Sequence, residues 1–269
     1  MRSTTHPTAR TESIQSIRAS AARKIQQKFR TPAALAAALF FAVFAHTTQA
    51  NSSERGLEIA LEADRRDTGW KDFRAGMKMV LRNRFGQESS RAMNVKGMEG
   101  RGDGDRTLTV FQSPGDVKGT AFLSFSHKKG PDDQWLYLPS VKRVKRIASN
   151  NKSGPFMGSE FAYEDITSQE VEKYAYKYLR DVAVNETLCY AVERVPVSPD
   201  SGYSRQVAYY DTEHYRPQKV EYFDRKNTLL KTLTYFEYRR YADKFWRAHR
   251  MEMVNHQTGK STTLLWDAY

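Results

Sequence analysis

The chain has a single cysteine, Cys189, so no disulfide can form within it, and its stability has to come from a packed core. Cys189 sits in Thr187 to Val192 (TLCYAV), a run that reads as a strand. Nothing beside it in sequence would lower a thiol pKa, so it is expected to be a buried structural residue rather than a nucleophile. Histidine is sparse too. Beyond residue 50 there are only His127, His214, His249 and His256, and none forms the close pair of a metal motif. The Gly-x-Ser-x-Gly elbow of serine hydrolases is absent. Gly97, Gly100, Gly102 and Gly104 lack the Lys-Ser/Thr that follows a phosphate loop, and Arg101-Gly102-Asp103 is explained by a hairpin turn. The carboxylate pairs Asp132/Asp133 and Glu164/Asp165 have no evident partner for acid–base chemistry. Catalysis, a metal site and a cofactor are therefore not expected.

Long apolar runs are also missing. The longest, Pro32 to Ala45, falls short of the ~20 residues that cross a bilayer. It follows a basic stretch, Met1 to Arg30, whose only acid is Glu12, and precedes small residues at Thr48 and Ala50. That order predicts a cleavable signal peptide over residues 1–50, with the exported domain spanning 51–269. No Arg-Arg pair marks the basic stretch, which favours the general secretory route, and no cysteine follows the cleavage point to take a lipid. The whole chain has a formal charge of +12, but residues 1–50 hold seven Lys/Arg and one Glu, leaving +6 for the rest. A mildly basic exported protein is not built for nucleic acid. Anionic lipid head groups or an acidic partner suit it better.

What is abundant is strand-forming sequence. A helix is predicted from Asn51 or Ser53, with Leu57, Ala60, Leu61 and Asp64 at helical spacing and Trp70 at its exit. Strand patterns follow at Met77–Leu81, Ala92–Lys96, Thr107–Phe111, Ala121–Ser126 and Gln134–Leu138, with Gly100 to Gly104 as a turn. A Gly/Ser/Asn-rich connection over 148–160 leads to a short helical or irregular stretch from Phe161 to Tyr174. A tyrosine-rich meander then runs through Gln206–Tyr210, Lys219–Phe223, Leu229–Tyr241, Phe245–Val254 and Ser261–Trp266. Its hairpin turns fall at Arg225 to Asn227 and Gln257 to Gly259. This pattern predicts a mostly β (α+β) domain: one large antiparallel sheet with about two helical pieces for cover. Such a sheet either closes into an ordinary core or leaves an apolar concave face open to an elongated ligand.

Two blocks are more specific: Asp132 to Ile147 (DDQWLYLPSVKRVKRI) and Gly154 to Asp165 (GPFMGSEFAYED). With Tyr215 to Phe223 (YRPQKVEYF) and the terminal LWDAY, they resemble the signature of the LolA-like outer-membrane lipoprotein-sorting proteins, over residues from about Ala60 onward. The resemblance implies a periplasmic protein with an open, curved half-barrel and helices closing an apolar cavity. It implies a non-catalytic carrier or chaperone for lipoprotein acyl chains or other lipid cargo, with only transient membrane contact. Members often occur with exporters of the resistance–nodulation–division (RND) class, so an adaptor that docks on such an exporter and carries nothing is the alternative. Similar chains continue past the final aromatic strand, so ending at Tyr269 predicts an open last sheet edge or an incomplete sequence.

Within the signature, alternation puts Ala121, Leu123 and Phe125 on one strand face and Phe122, Ser124 and Ser126 on the other. The Ala/Leu/Phe set is the more apolar, and with Trp135, Tyr137, Phe156 and Met157 it is the expected cavity lining. Val141, Val144 and Ile147 are expected on one side, so that Lys142, Arg143, Lys145 and Arg146 project outward as a contact for head groups or a partner. The pliable Gly154–Gly158 segment is expected at the cavity mouth. The same block reads equally well as a fold-defining crossing with a solvated basic edge.

Overall fold

The computed structural model describes residues 51–267 and Tyr269, and the predicted signal segment lies outside them. A helix, α1 (residues 51–67), precedes thirteen strands. The first group is β1 (Asp72–Arg82), β2 (Glu88–Met98), β3 (Arg106–Ser113), β4 (Ala121–Phe125), β5 (Asp133–Leu138) and β6 (Arg143–Arg146). The second is β7 (Tyr174–Val184), β8 (Thr187–Pro196), β9 (Tyr203–Asp211), β10 (Pro217–Asp224), β11 (Leu229–Tyr241), β12 (Phe245–Asn255) and β13 (Ser261–Trp266).

All of them form one antiparallel sheet in the order β6-β5-β4-β3-β2-β1-β13-β12-β11-β10-β9-β8-β7. The chain enters at the middle, meanders out to β6, crosses to the opposite edge through residues 147–173, and meanders back until β13 pairs with β1. β6 and β7 do not pair, so the sheet stays an open half-barrel. β13 is flanked by β1 and β12, so the last strand is not the open edge that was one of the two expectations drawn from the chain's end.

The two true edges are protected differently. All four residues of β6 (RVKR) are exposed, and charges on an edge discourage pairing with another chain. The β7 edge is met by α1. A Cβ on Gly56 would lie 2.6 Å from the Tyr178 amide nitrogen, so only glycine lets the helix backbone come this close. That contact fixes the helix rotation. Gly56, Ile59 and Ala60 are buried and Ala63 half-buried, whereas Leu57 and Leu61, two of the apolar residues at helical spacing, are exposed. Arg65 and Arg66 bind Glu62 on the outer surface and pull its carboxyl down to about 2, chiefly through their hydrogen bonds to it.

The expected helical cover is mostly a different device. Among the described residues α1 is the only α-helix, and the second cover is the crossing segment 147–173, built of short 3-10 turns. Phe156 and Phe161 of this strap are buried against Met79, Met93, Phe111, Phe122 and Leu136 of the sheet. Polar contacts fasten it along its length. Thr262 Oγ1 accepts from the Glu160 amide at 3.0 Å, Asn255 Nδ2 donates to Glu160 Oε2 at 2.7 Å, and Gln134 Nε2 donates to the Tyr163 carbonyl at 3.2 Å. At its far end the Ser126 hydroxyl donates to Glu170 Oε1 at 2.7 Å. The aromatic side chains of the strap pack on β1–β5, its polar contacts reach across to β12 and β13, and α1 lies over the β7–β12 side.

Candidate functional site

The strap decides where a ligand can go. Phe156 is fully buried, and its ring lies 5.1 Å from Phe122, 5.5 Å from Tyr163 and 6.1 Å from Phe111. Phe156 is therefore a plug in the core and not a flap at a mouth, which corrects the expectation for it. Met157, half-buried beside it, packs against the same core and is held through its carbonyl by Arg91.

The predicted strand lining faces the other way. Phe122 and Ser124 are buried under the strap, while Ala121, Leu123 and Phe125 are half-buried on the convex side. Registry carries Trp135 and Tyr137 to that same convex side, opposite Leu123 and Ala121, with Trp135 stacked edge-on to Phe125 at 5.5 Å. None of the five lines the cavity described below. The physical reason is space: the β2–β3 turn approaches so closely that a Cβ on Gly104 would sit 2.4 Å from Ser126 Oγ. The inner face needs small serines there, which made it look the less apolar of the two. The outer rings gain cover from long basic side chains, such as Arg106 over Phe125 at 5.1 Å.

The basic residues project outward as expected, for Arg143, Lys145 and Arg146 are exposed on β6 and Lys142 just before it. Arg146 is engaged by Asp133 at 2.5 Å. Val141 and Val144, however, do not share the inner side with Ile147: they are 56% and 65% exposed, whereas Ile147 is buried.

The cavity lies under α1, over the β7–β12 half of the concave face, with Ser168 to Val171 at the end of the strap also lining it. It has a volume of about 770 Å³, within the usual range for small-molecule sites of roughly 300–1,000 Å³. Its roof is Ala60 and Ala63, whose small side chains leave the space unfilled. Its floor is Tyr176 of β7, Arg194 of β8, Tyr210 of β9, Val220 of β10, Tyr235 of β11 and Met251 of β12. Tyrosine offers an apolar ring with a polar tip, so the floor suits an amphipathic occupant better than a bare hydrocarbon.

α1 is held over this space at both ends. Near its start Arg55 lies 5.4 Å over the Tyr190 ring. At its end Asp67 pairs with Arg247 of β12, and Arg66 lies 4.4 Å over the Tyr215 ring. The lining carries both signs of charge, with Asp64, Glu99, Asp105 and Glu170 among the acids and Arg240, Lys244 and Arg247 among the bases. Burial pushes the Asp105 carboxyl above the usual carboxylate range, although the Gly100 amide and Ser168 Oγ each donate to it at 3.0 Å. Among the described residues no group of three or more His, Cys, Asp or Glu is placed to hold a metal ion. Cys189 lies in a separate cluster with Ala191, Val207 and Tyr209, where burial pushes its thiol up to about 11, away from nucleophilic chemistry at neutral pH.

The fold has solved counterparts. A family model described as "-like: Uncharacterized protein" matches residues 103–269. No curated protein matches the chain. A solved outer membrane lipoprotein-sorting protein domain from Vibrio parahaemolyticus is 56% identical, covering 80% of this chain and 91% of that one, with a TM-score of 0.79. A DUF1329 family protein from Desulfovibrio piger is 29% identical over the same shares of each chain, with a TM-score of 0.76. A LolA superfamily protein from Nitrosomonas europaea, 18% identical with a TM-score of 0.64 and the same coverage, shares the fold. The signature blocks, the open half-barrel and these relatives agree: the chain has the fold of the LolA superfamily and belongs to the family of outer membrane lipoprotein-sorting proteins.

Proposed function

We propose that this protein is a periplasmic, non-catalytic carrier that shelters the acyl chain of a lipid or of a lipid-modified protein under α1. The observation that carries this reading is the cavity of about 770 Å³, roofed by small residues and floored by tyrosines, in a chain of the lipoprotein-sorting family. Export is part of the proposal: residues 1–50 act as a signal peptide, and the mature protein begins at Asn51 in the periplasmic fraction. Ala63→Trp tests the cavity. An indole placed under the helix is expected to weaken binding of a fluorescent fatty-acid analogue by about tenfold or more, while a cooperative melt is retained, because the side chain enters empty space. Undiminished binding in the variant places the ligand elsewhere, and a wild type that never binds the probe removes the carrier reading.

The basic edge is the proposed docking surface for anionic head groups or an acidic partner. Among the described residues Lys142, Arg143 and Lys145 have no ion-pair partner, and β6 is an unpaired edge. Arg143→Glu with Lys145→Glu is expected to weaken association with vesicles rich in anionic lipid, and raising salt is expected to weaken the wild-type association. Stability should change by less than about 0.5 kcal/mol, because the replaced charges are exposed. Co-sedimentation at two salt concentrations checks both. Binding that ignores both the reversal and the salt overturns this role. The same edge favours the alternative function, an adaptor docking on an RND-type exporter, which gains the lead if a gently purified sample holds no lipid by native mass spectrometry.

A further inference from the structure

Two buried cations rise from the concave face of the sheet, and only one has a counter-ion. Lys231 on β11 pairs with Asp165 of the strap at 2.6 Å. Arg194 on β8 is 7% exposed and lines the cavity floor. Its Nε donates to Gln206 Oε1 at 2.7 Å and its guanidinium lies 5.0 Å over the Tyr174 ring. Among the described residues no carboxylate stands within 4.0 Å of it. The five carboxylates of the strap are committed elsewhere: Asp165 to Lys231, Glu164 to Ser201 and Gly202, Glu170 to Ser126, Glu160 to Asn255 and Glu172 to Lys128.

The phenols around Arg194 cannot supply the missing charge. Burial pushes Tyr174 up to about 12 and raises Tyr176, Tyr222 and Tyr235 as well, so all four are neutral at physiological pH. A guanidinium does not deprotonate in this range and carries five donors, of which Gln206 takes one. A charge buried without a counter-ion opposes folding, and the opposition is lifted when an anion arrives.

We infer that Arg194 is the head-group subsite of the cavity, where it receives the oxyanion of an acyl-chain ligand through the donors that Gln206 leaves free. The chemistry it recognises is a carboxylate or a phosphate, with the tail lying along Val220, Met251 and the tyrosine rings. This assignment rests on the carrier reading and narrows it, since a purely ester- or amide-linked acyl group presents no oxyanion to pair.

Binding of three probes to the purified protein tests it: a fluorescent long-chain fatty acid, its methyl ester, and inorganic phosphate as a competitor. The wild type is expected to bind the acid about tenfold or more tightly than the ester, as a charge-assisted hydrogen bond predicts. Arg194→Gln is expected to bring the two affinities together by weakening only the acid, and Arg194→Lys to restore part of the difference. Without ligand, Arg194→Met is expected to melt no lower than the wild type, because the desolvation of a buried charge without a counter-ion outweighs the one hydrogen bond to Gln206 and the ring contact that are lost. Equal binding of acid and ester by the wild type overturns the subsite and leaves the carrier intact. Binding of neither probe overturns both. Phosphate displacing the acid at equal concentration overturns the lipid source of the oxyanion. An Arg194→Met variant that melts well below the wild type assigns the residue a structural role and overturns the inference.

Discussion

Asp165→Ala is expected to lower the free energy of unfolding by about 3–5 kcal/mol, the usual cost of stripping one partner from a buried ion pair. Both side chains are nearly sealed from solvent, with 5% of Lys231 and 2% of Asp165 exposed. The carboxylate also accepts from the Ala162 amide at 2.7 Å and from the Tyr203 hydroxyl at 2.9 Å. Removing it leaves the Lys231 ammonium with the Glu160 carbonyl at 2.8 Å and the flanks of the Tyr203 and Tyr222 rings. Against a total stability of about 5–15 kcal/mol for a typical domain, the loss is a large fraction. The double variant Asp165→Leu with Lys231→Met should recover most of it, because an apolar pair avoids the desolvation of both charges. Urea melts of the two singles and the double give the coupling directly. A single variant that costs less than about 1 kcal/mol would mean that water reaches the pair.

The position of that pair matters as much as its strength. Asp165 belongs to the strap and Lys231 to β11, so the pair pins the crossing segment to the half of the sheet opposite β1–β5. Glu160 extends the same fastening to β12 and β13 through Asn255 and Thr262. With the strap pinned there, the space left beneath α1 becomes a fixed cavity rather than part of the core. Arg194 and Lys231 are thereby sorted: one cation is spent on architecture, and the other faces the space that architecture creates.

Much of this was legible in the sequence. β11 and β13 coincide residue for residue with the predicted strands, and both predicted hairpin turns of the meander are present. Those strands alternate cleanly and are bounded by turn residues, so local pattern and tertiary environment agree. β7 was not predicted. As an edge strand it buries only Val184 fully, so its sequence, YAYKYLRDVAV, lacks a clean apolar face. The cavity was out of reach for a different reason. Both faces of β8 and β9 are buried, with Cys189, Ala191, Val207 and Tyr209 on one side and Val192, Arg194, Ala208 and Tyr210 on the other. Alternation identifies the two sets but does not say which is concave. Arg194, between Glu193 and Val195, reads as an ordinary strand-end charge. Its one signal is parity, since it stands two residues after the inward Val192.

Phe156→Ala is expected to cost about 3–5 kcal/mol, as large-to-small changes of buried rings do. The ring has no solvent exposure and touches Phe122, Phe111 and Tyr163, so truncation leaves a hole that the surrounding aromatics are too rigidly packed to close. In a domain of this size each kcal/mol moves the melting temperature by roughly 2–4 °C, which puts the shift at roughly 6–20 °C. Phe156→Leu, which keeps most of the volume, is expected to cost less than about 1.5 kcal/mol and serves as the graded control if the alanine variant does not fold. The pair of variants separates the plug from the flap that the Gly154–Gly158 segment suggested. A flap at the mouth would lose little stability on truncation and would instead change how fast a fatty-acid probe enters. A plug loses stability and leaves the rate of entry under α1 unchanged, because Phe156 is not among the residues that bound the cavity. Thermal melts together with stopped-flow binding of the probe read both quantities. A variant with a wild-type melt and an altered entry rate would move the ligand's path from the helix to the strap.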